Sequence, residues 1–321
     1  MTSKERFIKA LRRERLDGQH VPHFELVFFL TMEAFGKIHP NHRSYSQWGQ
    51  MEQRERTLHI RDMARLYVDT AKKYRHDAIL VHPNPGDLES VVWLLNEIRD
   101  ISGDEYYLTM HGDPTFFIPD GNNMMEFSIR LYEDQAGLKQ EAQRSLDWHI
   151  NQAEALKRAG SLIDGFTLCS DYALNANPFF TPEIFGDLIA PYLEKAITAY
   201  REMGFYSVKH TDGNINPILD QMVQCKPDAI HSVDPQGGMS LSDCMAKYGD
   251  RMTFIGNVNC GLLQTGTEEQ AAEDVRRALR EGMESGKGYI FGTSNCIYTG
   301  LPLSRYEMML QIWEREGIYP F

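Results

Sequence analysis

Residues 209–214 read Lys-His-Thr-Asp-Gly-Asn and follow Tyr206-Ser207-Val208. Residues two apart on an extended chain project to the same side, so His210, Asp212 and Asn214 can point together. Gly213 permits a tight turn, and a helical pattern opens at Ile215. Such a set can hold a metal, hold a substrate, or cap the amides of the following helix through Asp212 or Asn214. A second candidate is Cys296, in the run Gly-Thr-Ser-Asn-Cys at 292–296. Unpaired cysteines are mostly small buried hydrophobes, which is the expectation for Cys225, Cys244 and Cys260. Cys296 differs in following Ser294 and Asn295 at a predicted strand end. Imidazole, carboxylate and thiolate together suit zinc. His210, Asp212 and Cys296 are therefore expected to share one ion, with Asp234 or Glu25 as a further ligand. The spacing itself, His-x-Asp with a distant Cys, has no motif-level specificity.

Convergence of these groups requires a scaffold. Eight short apolar, β-prone runs are evident: 21–26, 78–82, 106–111, 165–169, 206–210, 228–232, 252–257 and 288–292. Patterns of helical period lie between them, clearest at 58–74, 88–100, 135–159, 182–203, 215–225, 268–285 and 304–316. Thr181-Pro182-Glu183 is a helix start, and Gly204, Gly286 and Gly317 are helix stops. Alternation of strand and helix implies parallel strands. Eight such units predict one α/β domain over 1–321, a (β/α)8 TIM barrel with an N-terminal helix. A barrel of this kind carries its site at the C-terminal strand ends. Nearly all the metal-capable chemistry falls there: His23 and Glu25, His82, His111 and Asp113, Cys169 and Asp171, His210 and Asp212, His231 and Asp234, Asn257 and Asn259, Asn295 and Cys296. Among them His82, His111 and His231 are candidate acids or bases. Glu25, Asp171, Tyr172, Asn214 and Asn257 are candidates for substrate binding. The long first β-to-α connection, 32–56, has the length of a lid or substrate loop.

The bulk properties narrow the function. The net charge is −12, with 42% hydrophobic and 24% charged residues over 321 positions. A net negative chain is a poor general binder of nucleic acid or anionic membrane. No apolar run reaches the length of a membrane span. The N-terminus lacks the apolar segment of a secretory signal, and Glu5, Glu14 and Asp17 argue against a transit peptide. Five scattered cysteines without a CxxC pair fit reduced thiols in a cytoplasmic protein. There is no P-loop, no GxGxxG after a strand, no HExxH and no GxSxG.

The opening MTSKERFIKALRRERLDGQHVPHFE, the central FTPEIFGDLIAPYLEKAITAYREMGFYSVKHTDGNINPILDQMV and DAIHSVDPQGGMSLSDCMAKYGDRMTFIGNVN, and the closing GTSNCIYTGLPLSRYEMMLQIWEREGIYPF extend over nearly the whole chain. Together they resemble the uroporphyrinogen decarboxylase superfamily, including its cobalamin-linked methyltransferase branch. The resemblance implies a (β/α)8 barrel. In the decarboxylases an arginine-rich N-terminal segment grips the polycarboxylate substrate; the corresponding VPHFELVFFL here has no arginine and carries Glu25. The methyltransferase branch uses a zinc held by a His-x-Cys pair and a distant Cys. Here His210 and Cys296 match, Asp212 replaces the first Cys, and Asp234 falls near an acidic ligand of some relatives. A carboxylate in place of a thiolate makes a harder zinc, suited to polarising an ether oxygen. The resemblance thus implies transfer of a methyl group from a methoxylated aromatic donor to the cobalt of a corrinoid protein. The corrinoid motif DxHxxG is absent, so cobalamin is expected on a separate partner. Decarboxylation and methylcorrinoid:thiol transfer are the alternatives, and a homodimer is admitted.

Overall fold

The computed structural model describes residues 1–320. Its centre is a curled sheet of seven parallel strands in sequential order. They are β1 (Ala78–Val81), β2 (Tyr107–His111), β3 (Gly165–Cys169), β4 (Tyr206–His210), β5 (Ala229–His231), β6 (Thr253–Ile255) and β7 (Tyr289–Ile290). Alternate residues of β1 serve different sides: Ala78 and Leu80 join one buried apolar cluster, Ile79 and Val81 another. This is the period-two division of a sheet covered on both faces. Strand register matters most at one end, where Cys169 pairs with His210 and His210 with His231.

The expected strand at 21–26 is not regular. Pro22 has no N–H to donate, and the amide of His23 goes to the Asp77 side chain at 2.8 Å instead of a neighbouring carbonyl. The segment still bridges the sheet edges. Phe24 N–H donates to Phe291 O, Phe291 N–H to Pro22 O, and Asp77 N–H to His23 O.

Helices return the chain between strands. The one at Glu268–Met283 is typical: Ala271, Val275, Ala278 and Leu279 form its buried stripe, and Thr267 with Gln270 forms its capping box. The N-terminal helix Ser3–Leu11 buries Phe7, Ala10 and Leu11. It closes the end of the sheet opposite the candidate site, with Arg6 on Asp77 and Thr253 Oγ1 donating to Ala10 O. The pattern read as one helix at 182–203 has a π-helical turn at Phe185–Ile189. Pro191, which cannot donate an amide hydrogen, lies two residues beyond its end. Helices at Met124–Glu133, Leu241–Tyr248 and Cys260–Thr265 were not expected; all are short, and periodicity is weak over so few residues. The connection at 32–56 is ordered by short helical turns at Pro40–His42 and Trp48–Gln50. It is tied to the end of β1 by Asn84 Nδ2, which donates to Pro40 O and Arg43 O at 2.6 and 2.9 Å. No helix among the described residues is long and apolar enough to cross a membrane.

Candidate metal centre at the strand ends

Strand β4 delivers His210 to the C-terminal end of the sheet, and the chain then turns at Gly213. That turn requires glycine: φ is +79°, and a Cβ would stand 2.4 Å from Leu174 O. The turn places Asp212 beside the segment that leaves β3, where its amide donates to Asp171 Oδ1 at 3.0 Å. As a result Asp171, His210 and Asp212 bring ligand atoms within 4.8 Å of one another. His210 Nε2 lies 3.9 Å from Asp171 Oδ1 and 3.8 Å from Asp212 Oδ1. These separations are too long for hydrogen bonds. Donors about 2.1 Å from a tetrahedral zinc sit roughly 3.4 Å apart, so a small contraction would let the three share one cation.

The surroundings hold these groups in place. Ser232 Oγ donates to Asp212 Oδ1 at 2.9 Å, and Asn295 Nδ2 donates to Asp212 Oδ2. His210 Nδ1 meets His231 Nδ1 at 2.7 Å, and His231 Nε2 meets Thr293 O at 3.2 Å. Burial lowers His210 to about 4, with Asp171 opposing the shift, so the imidazole is neutral. Burial also raises Asp212, reinforced by the charge of Asp171, to about 7. A neutral imidazole facing two crowded carboxylates is an arrangement that a divalent cation would neutralise. His210 is buried behind the other two, Asp171 and Asp212, which border a cleft of about 720 Å³ whose wall also includes Cys169, Phe117 and Leu174. No arginine or lysine lines it.

The other expected residues divide. Asp171, expected to bind substrate, belongs to the trio. Asp234 and Cys296, expected as ligands, lie outside it. Asp234 takes the amides of Gly213 and Gln236 at 3.1 and 2.9 Å. Cys296 is half-buried, and burial, then Asp212, raise its thiol to about 12. Glu25 is buried, with Oε1 at 3.0 Å from His23 Nε2 and Oε2 accepting from Thr293 Oγ1 at 2.5 Å, so it is closed to a substrate. Tyr172 is fully buried, its hydroxyl on Thr115 at 2.6 Å and its ring 4.0 Å from Lys209 Nζ. Asn257 is also buried, bonding Val233 O and Arg277. Asn214 braces the turn, donating to Ala176 O and accepting from the Asn216 amide. These polar groups are engaged in holding the rim together. His82 is buried, and desolvation with His111 and His39 lowers it to about 3; its ring meets His111 edge-on at 4.8 Å. His111 is exposed.

Lys209 was not singled out in the sequence, although it adjoins His210. Its side chain is fully buried on the opposite face of β4 and donates to Asp113 Oδ2 at 2.7 Å and to the carbonyls of Ser170 and Leu168 at 2.9 and 3.2 Å. It thereby anchors the segment that carries Asp171.

The family described as uroporphyrinogen decarboxylase (URO-D) matches residues 120–315, well over half of the chain. The chain belongs to the uroporphyrinogen decarboxylase family. Among solved structures, a methyltransferase from Methanosarcina mazei is 18% identical, with a TM-score of 0.73 over 98% of this chain and 99% of that one. A protein from Listeria monocytogenes, described as a candidate vitamin-B12-independent methionine synthase, is 11% identical, with a TM-score of 0.50 over 94% and 96%. At such identities the likeness is one of fold. No curated protein matches the sequence. For a member of the uroporphyrinogen decarboxylase family whose site could take zinc, the donors fit: one imidazole and two carboxylates are accepted zinc ligands. Without a thiolate in the trio, the set is harder than the mixed set expected from Cys296.

Proposed function

We propose that this protein is a methyltransferase that moves a methyl group from a methoxylated aromatic donor to the cobalt of a separate corrinoid protein. The observation that carries the reading is the meeting of Asp171, His210 and Asp212 at the strand ends, with the two carboxylates on the wall of the cleft. These three residues would hold the zinc. Zinc bound there would supply a Lewis acid for the ether oxygen of the donor. Phe117 and Leu174 give the cleft an apolar wall for an aromatic ring, beside the polar edge made by Asp171 and Asp212. His111 is exposed at the rim and can offer a ring N–H to the departing aryl oxide, although desolvation, opposed by Asp113, lowers its imidazole below the ordinary value. His231 has both ring nitrogens engaged, and His82 is held neutral by burial. Cys296 and Asp234 act behind the trio rather than within it. Cobalamin arrives on a partner that docks over the strand ends, in the cytoplasm. In the same reading Pro22–Phe24 takes the eighth position of a closed (β/α)8 barrel, and residues 1–321 make one domain.

Decarboxylation, which the family name suggests, is placed second. A polycarboxylate needs cations, and the cleft wall offers two carboxylates and no arginine or lysine. The test is direct. The zinc-loaded protein is mixed with a reduced corrinoid protein and a panel of methoxy-aromatics, and methylcobalamin absorbance is followed. Methyl transfer from at least one donor is expected. Loss of carboxyl groups from uroporphyrinogen, with no methyl transfer, would reverse the two readings.

A further inference from the structure

A histidine can ligate through either ring nitrogen, and the other nitrogen's hydrogen bond decides which one is free. We propose that His231 fixes the tautomer of His210, so that Nδ1 carries the hydrogen and Nε2 turns its lone pair to the space between Asp171 and Asp212. The inference rests on the reading of those three residues as a metal centre only for its consequence, not for the tautomer itself.

The argument begins at Thr293. Its carbonyl can only accept, so the contact at 3.2 Å requires a hydrogen on His231 Nε2. A neutral His231 then has a bare Nδ1. Its neighbour at 2.7 Å is His210 Nδ1, and two bare nitrogens cannot sit that close, so the bridging hydrogen belongs to His210. A neutral His210 with its hydrogen on Nδ1 has a lone pair on Nε2. That atom is the one facing Asp171 Oδ1 and Asp212 Oδ1 at 3.9 and 3.8 Å. The opposite assignment would make His231 a cation in a fully buried place where its polar contacts are His210 and a carbonyl, with no acid touching it. Burying an unpaired charge is costly, so that assignment is disfavoured.

The far end of the relay is anchored as well. Glu25 Oε2 accepts from the amide of Thr293 at 3.2 Å and lies 2.5 Å from its hydroxyl, which is also 2.7 Å from the Asn295 carbonyl. The Thr293 carbonyl lies in the next peptide, whose Ser294 N–H donates to Val258 O at 2.9 Å and so holds the carbonyl toward His231. Glu25, which the sequence suggested for substrate or metal, braces the residue whose carbonyl opens the chain Thr293, His231, His210. His231 is a positioning residue: it touches no substrate and acts through His210.

The test reads tautomer and affinity separately. Long-range proton–nitrogen correlation NMR on the metal-free protein, with the His210 signals assigned from their loss in His210→Gln, should find hydrogen on Nδ1 and none on Nε2. His231→Leu removes the acceptor. In a chelator competition it should bind zinc about 10–100-fold more weakly, the usual effect of losing an outer partner of a ligating histidine. His231→Asn keeps an oxygen near the place of Nδ1 and should recover most of that loss. A hydrogen on Nε2 of His210 in the parent protein overturns the proposal. So does a folded His231→Leu protein that binds zinc as tightly as the parent. If His231→Leu does not fold, the parent spectrum and the Asn variant decide. If the parent binds no zinc, the metal reading fails, while the spectrum still decides the tautomer.

Discussion

Lys209 and His210 are consecutive residues of β4, yet they face opposite sides of the sheet and meet opposite electrostatic conditions. On the side of Lys209 the charges are matched. The ammonium contacts one carboxylate, Asp113, and two carbonyls, and the pair is buried. On the side of His210 they are not. The carboxylates of Asp171 and Asp212 meet the His210 imidazole, and among the described residues no lysine or arginine pairs with either of them. A strand alternates its side chains in any case; here the alternation separates a buried structural ion pair from a set of candidate ligands with no lysine or arginine among them. The ion pair ties the β3 and β4 ends together, which keeps the candidate ligands on the other side in place. Rigidity on one face is what makes preorganisation on the other possible.

The largest effect should come from breaking the satisfied side. Lys209→Ala leaves Asp113 buried without its partner, and loss of one member of a buried pair costs about 3–5 kcal/mol. The urea midpoint should fall accordingly. Lys209→Met combined with Asp113→Leu should recover most of the loss, since an apolar replacement of a buried pair is often neutral. If the single variant is as stable as the parent, the pair is not what holds this rim. Asp171→Asn should behave in the opposite way. Asp171 is half-exposed and crowds Asp212, so its neutralisation should leave the metal-free fold as stable as before or slightly more so. Zinc affinity should fall by more than the roughly 10–100-fold expected for an outer partner. A chelator titration beside a urea melt separates the two results.

A smaller effect follows from acid. Burial pushes the Asp113 carboxyl up, but Lys209 and the Thr115 hydrogen bonds pull it below the ordinary value overall. A folded value below the unfolded one means that the stabilisation is complete above the unfolded value, about 3.9, and is lost as pH falls through the lower folded value. The parent should therefore lose more stability below pH of about 4 than the Lys209→Met/Asp113→Leu double variant. Equal acid slopes in parallel urea melts would remove Asp113 as a source.

The same comparison explains what could be read from the residues alone. The bounds of β3 and β4 were legible to the residue, because apolar β-prone runs end sharply in polar groups at Cys169 and His210. The gathering of polar residues at the strand ends was legible for the same reason. The ligand set was not. Which rim residues meet depends on register and on the turn at Gly213, and these bring Asp171 to His210 while directing Asp234 to backbone amides. Glu25 was misplaced because one of its partners, Thr293, is 268 positions away. The irregular segment at 21–26 had a visible signal in Pro22, but the capture of the His23 amide by Asp77 required three dimensions. Lys209 carries no signal of burial in the sequence: a lysine in a polar run suggests solvent, and what buries it, Asp113 and the Tyr172 ring, is distant in the chain.

The smallest expected effect is the sharpest about chemistry. Cys296 was expected to ligate through its sulfur, whereas Asp171, His210 and Asp212 make a group without it. Burial and the nearby carboxylates hold its thiol protonated at neutral pH, with a value of about 12. A thiol with that preference gives up its proton to a cation only in direct contact. Cys296→Ser is nearly isosteric at a half-buried position, so stability should change by no more than about 0.5 kcal/mol. If the trio is the ligand set, zinc should stay bound at unchanged stoichiometry, and a cobalt-substituted protein should lack the thiolate-to-metal absorption band both before and after the change. A band in the parent that disappears in Cys296→Ser would bring the sulfur into the coordination shell. The rim would then contract on metal binding, with Asn295, which links Cys296 to Asp212, as the residue that moves.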